Sequence, residues 1–423
     1  VFALLCIKGS AKTAPAKSNP EGLDFQIDYA LFRGPMTDSV QLEIYYRIFN
    51  RALQFIKVGE EYKANYEINV VVYDNNGNQL KSYTRSREIT VNEYDRTVSG
   101  LDFRTSQVNF FLAKGKYRFE CVVIDRNNGE SAKRVQKIEI VNLFDSDPVI
   151  SGIEFLRAVD TVLYDSLFVK GNRTLIPSVS REYGGDSSAV LLYYQEIYKG
   201  NKGKDAIKVE TQILDRNYDA VYRDTLTSPF NEDIIRQIRQ ISLTGVKAGH
   251  YTLNIILRGR RDRIINEIKE PFRVFWTPEA MVHNDFEMAV AQLKYIASPS
   301  EMENFKNAKT PEEKIKLWRD FWFSRDPTPG TDDNEARDGY YWRIAYADEH
   351  FGLLKKEGWR TDRGMIYITY GEPDQIEDYP FEPDSKAYQL WYYYHSGYIK
   401  RFIFVDEWGD GDYRLQFPYD GTY

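Results

Sequence analysis

Two stretches far apart in the chain follow one pattern, and that repeat limits the folds available. Residues 113–129 read AKGKYRFECVVIDRNNG and residues 247–263 read KAGHYTLNIILRGRRDR. Gly115 aligns with Gly249, Tyr117 with Tyr251, and Phe119, Cys121 and Val123 with Leu253, Ile255 and Leu257. In both copies apolar residues alternate at period two, the spacing of a strand with one face buried. Upstream, VQLEIYYRIF pairs with AVLLYYQEIY, and YEINVVVYDNNGN with VETQILDRNYDA.

Turn chemistry separates these strands, as at Asp74-Asn75-Asn76-Gly77 and Arg126-Asn127-Asn128-Gly129. With 32 Tyr and 24 Phe against 2 Cys and 5 Met, the composition favours sheets over helical bundles. A chain of 423 residues also exceeds what one core fills, roughly 250 residues. A glycine ahead of a tyrosine-initiated strand is similar to a late strand of immunoglobulin-like domains, where the ring packs back over the preceding corner. The expected fold is mainly β, with two tandem immunoglobulin-like β-sandwiches over residues 23–146 and 147–276 and a junction at FDSDPV. Sandwiches serve as spacers, adhesins and sugar binders, so this architecture alone implies no function.

After Trp276 the apolar period changes to 3.6. Thr277-Pro278-Glu279 opens a helix with Val282, Phe286, Val290, Leu293 and Ile296 on one face. Thr310-Pro311-Glu312-Glu313 opens a second with a capping box, and a third is expected over Asn334 to Phe351. Strands follow near AYQLWYYYH, KRFIFVDE and YRLQFP. Residues 277–423 therefore read as an α+β domain, helices first and then an antiparallel sheet.

The first 22 residues begin apolar and become small and polar, the pattern of a signal-peptide remnant and linker. The mature chain is expected to begin between Lys12 and Lys17; acylation of Cys6 is the alternative, disfavoured by bulky Leu5. No later stretch reaches the roughly 20 apolar residues of a membrane span, so the protein is expected to be peripheral to a membrane at most. Its basic residues are dispersed, which argues against nucleic acid. Cys121 alternates onto an apolar face and reads as core. The four histidines lack ligand spacing and no phosphate-binding loop occurs, so no metal, cofactor or catalytic residue is assigned. The DEWGDGD run at 406–412 fails the full calcium-loop pattern and reads as a polar hairpin tip.

The densest run of unusual residues is GWRTDRGMIYITYGEPD, 358–374. Gly358 is expected to end the preceding helix in a left-handed cap, with Trp359 folding back over it. Asp362 fixes an entry turn, Met365 to Tyr370 alternate as a strand, and Gly371-Glu372-Pro373-Asp374 ends that strand. The run resembles the signature of the GWxTD domain family of bacterial envelope proteins. The family's W-x-x-RDPTPGT-x-x-NE pattern falls on Trp322, on Arg325 through Thr331, and on Asn334-Glu335. One mild departure is Asp348-Glu349-His350-Phe351, where the family often has Asn before its Glu-Arg-Phe-like run. The resemblance implies an exported protein with a β-rich N-terminal region, and it supplies no reaction.

Candidate binding residues are Trp322, Arg325, Asp326, Thr328, Glu335, Trp359, Asp362, Arg363, Glu372 and Asp374. Their carboxylates could converge for acid–base chemistry, but an ion-pair network of Arg325, Asp326, Asp362 and Arg363 is the favoured reading. Trp322, Trp342 and Trp359 make either an aromatic groove or a packed core. The expected protein is a non-enzymatic, periplasmic or outer-membrane-associated component of an outer-membrane or secretion-related assembly, binding envelope or outer-membrane proteins. Glycan or peptidoglycan binding is the alternative, and a carboxylate-dependent hydrolase a more remote one.

Overall fold

The computed structural model describes residues 23–99, 102–144, 147–163, 166–185, 189–201, 206–328, 334–353, 356–380, 386–395 and 398–416. The expected signal segment with Cys6, and Pro329 to Thr331, lie outside the described residues. The chain divides into two compact units. One runs to Phe275 apart from residues 185–187, and the other comprises those three residues and everything from Trp276.

The first unit opens with β1 (Phe25–Arg33), β2 (Val40–Phe49), β3 (Ile56–Val58), β4 (Glu61–Asp74), β5 (Gln79–Val91), the short α1 (Asp95–Val98), β6 (Phe103–Leu112), β7 (Gly115–Asp125) and β8 (Ser131–Ile140). One sheet is ordered β1-β2-β6; a second is β3-β4-β7-β8, with β5 beside β4. Leu42 and Ile44 of β2, Ile68 and Val70 of β4, and Phe119, Cys121 and Val123 of β7 share the core between them. Cys121 is fully buried there, as its alternation predicts, and burial pushes its thiol well up. The Asp74 turn forms as its residues dictate. Asp74 accepts from the Asn76 and Asn78 amides, and Gly77 takes φ 87°.

The chain continues through β9 (Val149–Ile150), β10 (Glu154–Asp160), β11 (Val169–Lys170), β12 (Arg173–Pro177), β13 (Glu182–Gly185), β14 (Val190–Tyr198), β15 (Ala206–Leu214), β16 (Ala220–Pro229), β17 (Ile234–Ser242), β18 (Gly249–Arg258) and β19 (Ile264–Trp276). A third sheet is ordered β11-β12-β10-β14-β17, with β9 beside β14, and a fourth β13-β19-β18-β15-β16. Phe155 on the third packs against Tyr183 and Phe272 on the fourth. The repeat seen in the sequence is repeated in geometry. The Tyr117 hydroxyl donates to the Ala113 carbonyl at 3.0 Å, and the Tyr251 hydroxyl to Lys247 at 2.8 Å.

The first sheet is covered on both sides. Ala30, Phe32 and Tyr45 on its outward face pack with Leu156, Leu175 and Tyr194 of the third sheet. This is why β2 breaks strict alternation, with Ile44, Tyr45 and Tyr46 buried in succession.

The second unit is helical first: α2 (Pro278–Asn284), α3 (Phe286–Gln292), α4 (Pro299–Asn307), α5 (Pro311–Phe323), α6 (Glu335–Phe351) and α7 (Asp362–Tyr370). The expected first helix is broken at Asp285, whose side chain caps α3. Helix α4 was not foreseen, although Ser298-Pro299-Ser300-Glu301 forms a complete capping box. An antiparallel sheet follows in the order β20 (Gln375–Tyr379), β21 (Tyr388–His395), β22 (Tyr398–Asp406) and β23 (Tyr413–Leu415). Among the described residues no helix is long and apolar enough to cross a membrane.

Met365 to Tyr370 is helix, not the expected strand. Thr361 sits at the N-cap in extended backbone and accepts the Gly364 amide at 3.0 Å, while Gly371 ends the helix at φ 87°. β-branched and aromatic residues gave the run a strand-like texture, but its caps and its packing against α6 decide otherwise.

Candidate functional site

The helix–sheet junction of the second unit is built by close backbone approach. Helix α6 ends at Phe351, and Gly358 lies in a 3-10 turn without the left-handed backbone expected of it. A Cβ on Gly358 would stand 1.7 Å from the Ala347 carbonyl oxygen, and one on Gly364 would stand 2.0 Å from the Gly358 oxygen. Glycine is required because three backbones meet. Trp359 is 1% exposed. Its amide donates to Asp348 at 3.0 Å, and its carbonyl accepts the Tyr295 hydroxyl at 2.7 Å. The Lys294 and Arg360 side chains lie over its ring. The Thr361 hydroxyl donates to the Gly358 carbonyl and accepts from Gly364, so it ties the turn to the helix.

Asp362 begins α7, and its carboxylate accepts the Leu415 amide of β23 at 2.9 Å. Arg363 stacks on Phe351 and Tyr413, and burial lowers its guanidinium from the ordinary value. Arg325 lies over Phe321 and pairs with Glu301 at 2.9 Å. Asp326 accepts the Thr328 amide. Among the described residues the four charged groups therefore do not form the expected network; each anchors a different turn. The Thr328 hydroxyl donates to Glu335 and holds that carboxyl below its usual range. Asp374 accepts the Tyr394 amide at 2.7 Å, and Glu372 is exposed.

Trp322 is buried against Trp318, Phe321, Tyr340 and Tyr341. With Trp359 also in the core and Trp342 59% exposed, the three do not line one groove. Sequence reasoning missed a three-ring stack in which Tyr346 lies between His350, at 3.8 Å, and Tyr367, at 4.3 Å. Burial, then Tyr346 and Glu372, push the Tyr367 hydroxyl up to about 12. The i, i+4 spacing of Tyr346 and His350 was a legible signal for part of that stack. In the β22–β23 connection, Asp406 accepts the Asp410 and Gly411 amides, while Asp412 pairs with Lys356 at 3.0 Å.

The family model for the GWxTD domain matches residues 278–416. This segment is a GWxTD domain. No curated protein matches the chain. Among solved structures, a glycosyl hydrolase family 2 member from Bacteroides cellulosilyticus is 10% identical with a TM-score of 0.21, over 54% of this chain and 26% of that one. A putative beta-galactosidase from Bacteroides fragilis is 12% identical with a TM-score of 0.20, over 59% of this chain and 41% of that one. The chain thus spans well under half the length of these structures, and likeness at such scores carries no argument about the GWxTD domain or the strands before it.

Proposed function

We propose that this is a non-enzymatic, exported cell-envelope protein, periplasmic or outer-membrane associated, whose GWxTD domain docks on other envelope proteins of an outer-membrane or secretion-related assembly. The outward face of its C-terminal sheet carries the reading. Trp391, Tyr393, Phe402 and Phe404 point inward and are buried. The alternate positions face away, and the register sets Tyr388 between Tyr379 and Val405, Leu390 beside Ile403, and Tyr394 beside Ile399. Tyr394 and Ile399 remain 49% and 47% exposed. Tyr379 and Tyr388 stack at 4.6 Å, while the Tyr392 and Tyr394 hydroxyls donate to Glu377 and Gln375. Rings already held in place lose little freedom on association, and aromatic side chains dominate protein interfaces.

Against an enzyme reading, Asp326, Asp362 and Asp374 are each engaged by a different backbone amide, and Glu335 by Thr328. The paired tyrosine corners support reading the first unit as two tandem immunoglobulin-like sandwiches that act as a spacer. Crosslinking in native membranes, followed by isolation of the wild-type chain and a Tyr392→Ser/Ile399→Ser variant, tests the proposal. Envelope proteins recovered with the wild type and lost with the equally stable variant are expected. Recovery of glycan instead, or of the same proteins with both, defeats it.

A further inference from the structure

The first unit contains a cleft of about 280 Å³ between the outward face of β2 and β6 and the strands β11, β14 and β17. Three carboxamides line it: Gln41 on β2, and Gln107 and Asn109 on β6. They are already oriented. Gln41 Nε2 donates to Glu43 at 2.8 Å, and Gln107 Nε2 donates to Asn109 Oδ1 at 2.7 Å. Gln107 is 5% exposed, and its Oε1 accepts no hydrogen bond among the described residues. That oxygen has no access to solvent and offers a ligand nothing; Gln107 instead holds the exposed Asn109 carboxamide in place.

Two of the three cations lining the cleft are matched to carboxylates. Lys170 Nζ lies 2.8 Å from Glu43 and 2.7 Å from Glu154. Arg236, at the rim, is 3.7 Å from Glu196 and 3.6 Å from Glu232. Arg33 donates to the Leu143 carbonyl and covers Tyr198. At Lys170 or Arg236 an anion would have to break existing pairs, and an apolar ligand would strand the carboxamides. Side-chain amides offer a donor and an acceptor together, which matches adjacent hydroxyl groups. The volume lies just below the usual range of ligand pockets, roughly 300 Å³ and upward, and so admits one small ring at most.

We propose that this cleft binds a neutral polyhydroxylated ligand the size of one sugar residue, either a free monosaccharide or the terminal residue of a glycan. Nothing in it depends on the docking role of the GWxTD domain.

The full chain is titrated with glucose, galactose, N-acetylglucosamine, the methyl glycosides of each, a neutral trisaccharide and glucuronate, with binding read by calorimetry and ligand-observed NMR. At least one neutral sugar is expected to bind. Asn109→Leu, at an exposed position, and Gln107→Leu are each expected to weaken it about tenfold, the scale of one lost hydrogen bond. Binding of the trisaccharide more tightly than any monosaccharide assigns a glycan end, and the reverse assigns a free sugar. Failure of all neutral sugars overturns the proposal, as does undiminished binding in the stably folded Asn109→Leu variant or a preference for glucuronate.

Discussion

Gly358 and Ala347 lie so close that a Cβ on the first would meet the carbonyl oxygen of the second at 1.7 Å. Gly364 stands in the same relation to Gly358, at 2.0 Å. Both contacts are backbone to backbone, so no side-chain rotation relieves them. Alanine in place of glycine inside a helix ordinarily stabilises by about 0.5–1 kcal/mol. For Gly364→Ala in α7 the sign is expected to reverse, with a loss of about 1–3 kcal/mol or more from overpacking. Thermal melts of Gly364→Ala and Gly358→Ala read this directly; a raised melting temperature in either would show that the three backbones are free to separate.

Trp359 and Asp362 hold the same junction by different means. Trp359→Ala removes a fully buried ring and is expected to cost about 3–5 kcal/mol. Asp362→Ala leaves the Leu415 amide without its acceptor and is expected to cost about 1–3 kcal/mol. Asp362→Asn keeps an acceptor oxygen and should recover part of that loss. Urea denaturation of the three variants orders them. An Asp362→Ala chain as stable as wild type that had lost turnover of a substrate would overturn the structural role.

The legible parts of the fold were those with local signals. Alternation gave the strands of the first unit, Thr277 and Thr310 announced their helices, and the Gly115/Gly249 repeat carried through to two matching tyrosine-to-carbonyl hydrogen bonds. The GWxTD run misled because its residues favour strands, whereas Thr361 and Gly371 cap a helix whose stability lies in contacts with α6. The partners of Arg325 and Asp362 were illegible for a different reason. Glu301 and the Leu415 amide are brought to them by tertiary packing, and no spacing in the sequence encodes that. The double burial of β2 likewise depends on a sheet formed more than a hundred residues later.

Two buried clusters between the first sheet and the later strands each hold two carboxylates against one cation. Lys170 bridges Glu43 and Glu154, and Arg181 bridges Asp28 and Glu270. Burial, opposed by Lys170 and reinforced by Glu43, pushes Glu154 up from 4.5 to about 7. Burial also raises Asp28 and Glu270 despite Arg181. A carboxyl whose folded value lies above its unfolded one binds protons more tightly when folded, so stability falls as pH rises between the two values. Folding free energy from Glu154 is therefore expected to decline from about pH 4.5 to about pH 7 and then level off, with Asp28 and Glu270 adding to the fall. Urea midpoints across that range should show the slope, and Glu154→Gln should flatten it. An unchanged slope in that variant would place the proton elsewhere.

The last expectation concerns residues 23–146 expressed alone. Their own core, between the first two sheets, is complete within that stretch apart from late contributors such as Val149 and Tyr198. The outward face of the first sheet is not. Phe32 and Tyr45 would lose Leu156, Leu175 and Tyr194, and Asp28 and Glu43 would lose Arg181 and Lys170. The fragment is thus expected to melt cooperatively but at a lower temperature than the first unit in the full chain, and to self-associate through the uncovered face. Tyr45→Ser separates the two effects by sign. In the fragment it should improve solubility, because it breaks up an exposed apolar patch. In the full chain it should destabilise by about 3 kcal/mol, since a buried ring is removed. Size-exclusion chromatography and melts on the four proteins check this. A fragment without a cooperative transition would show that the first pair of sheets does not fold without the strands that follow.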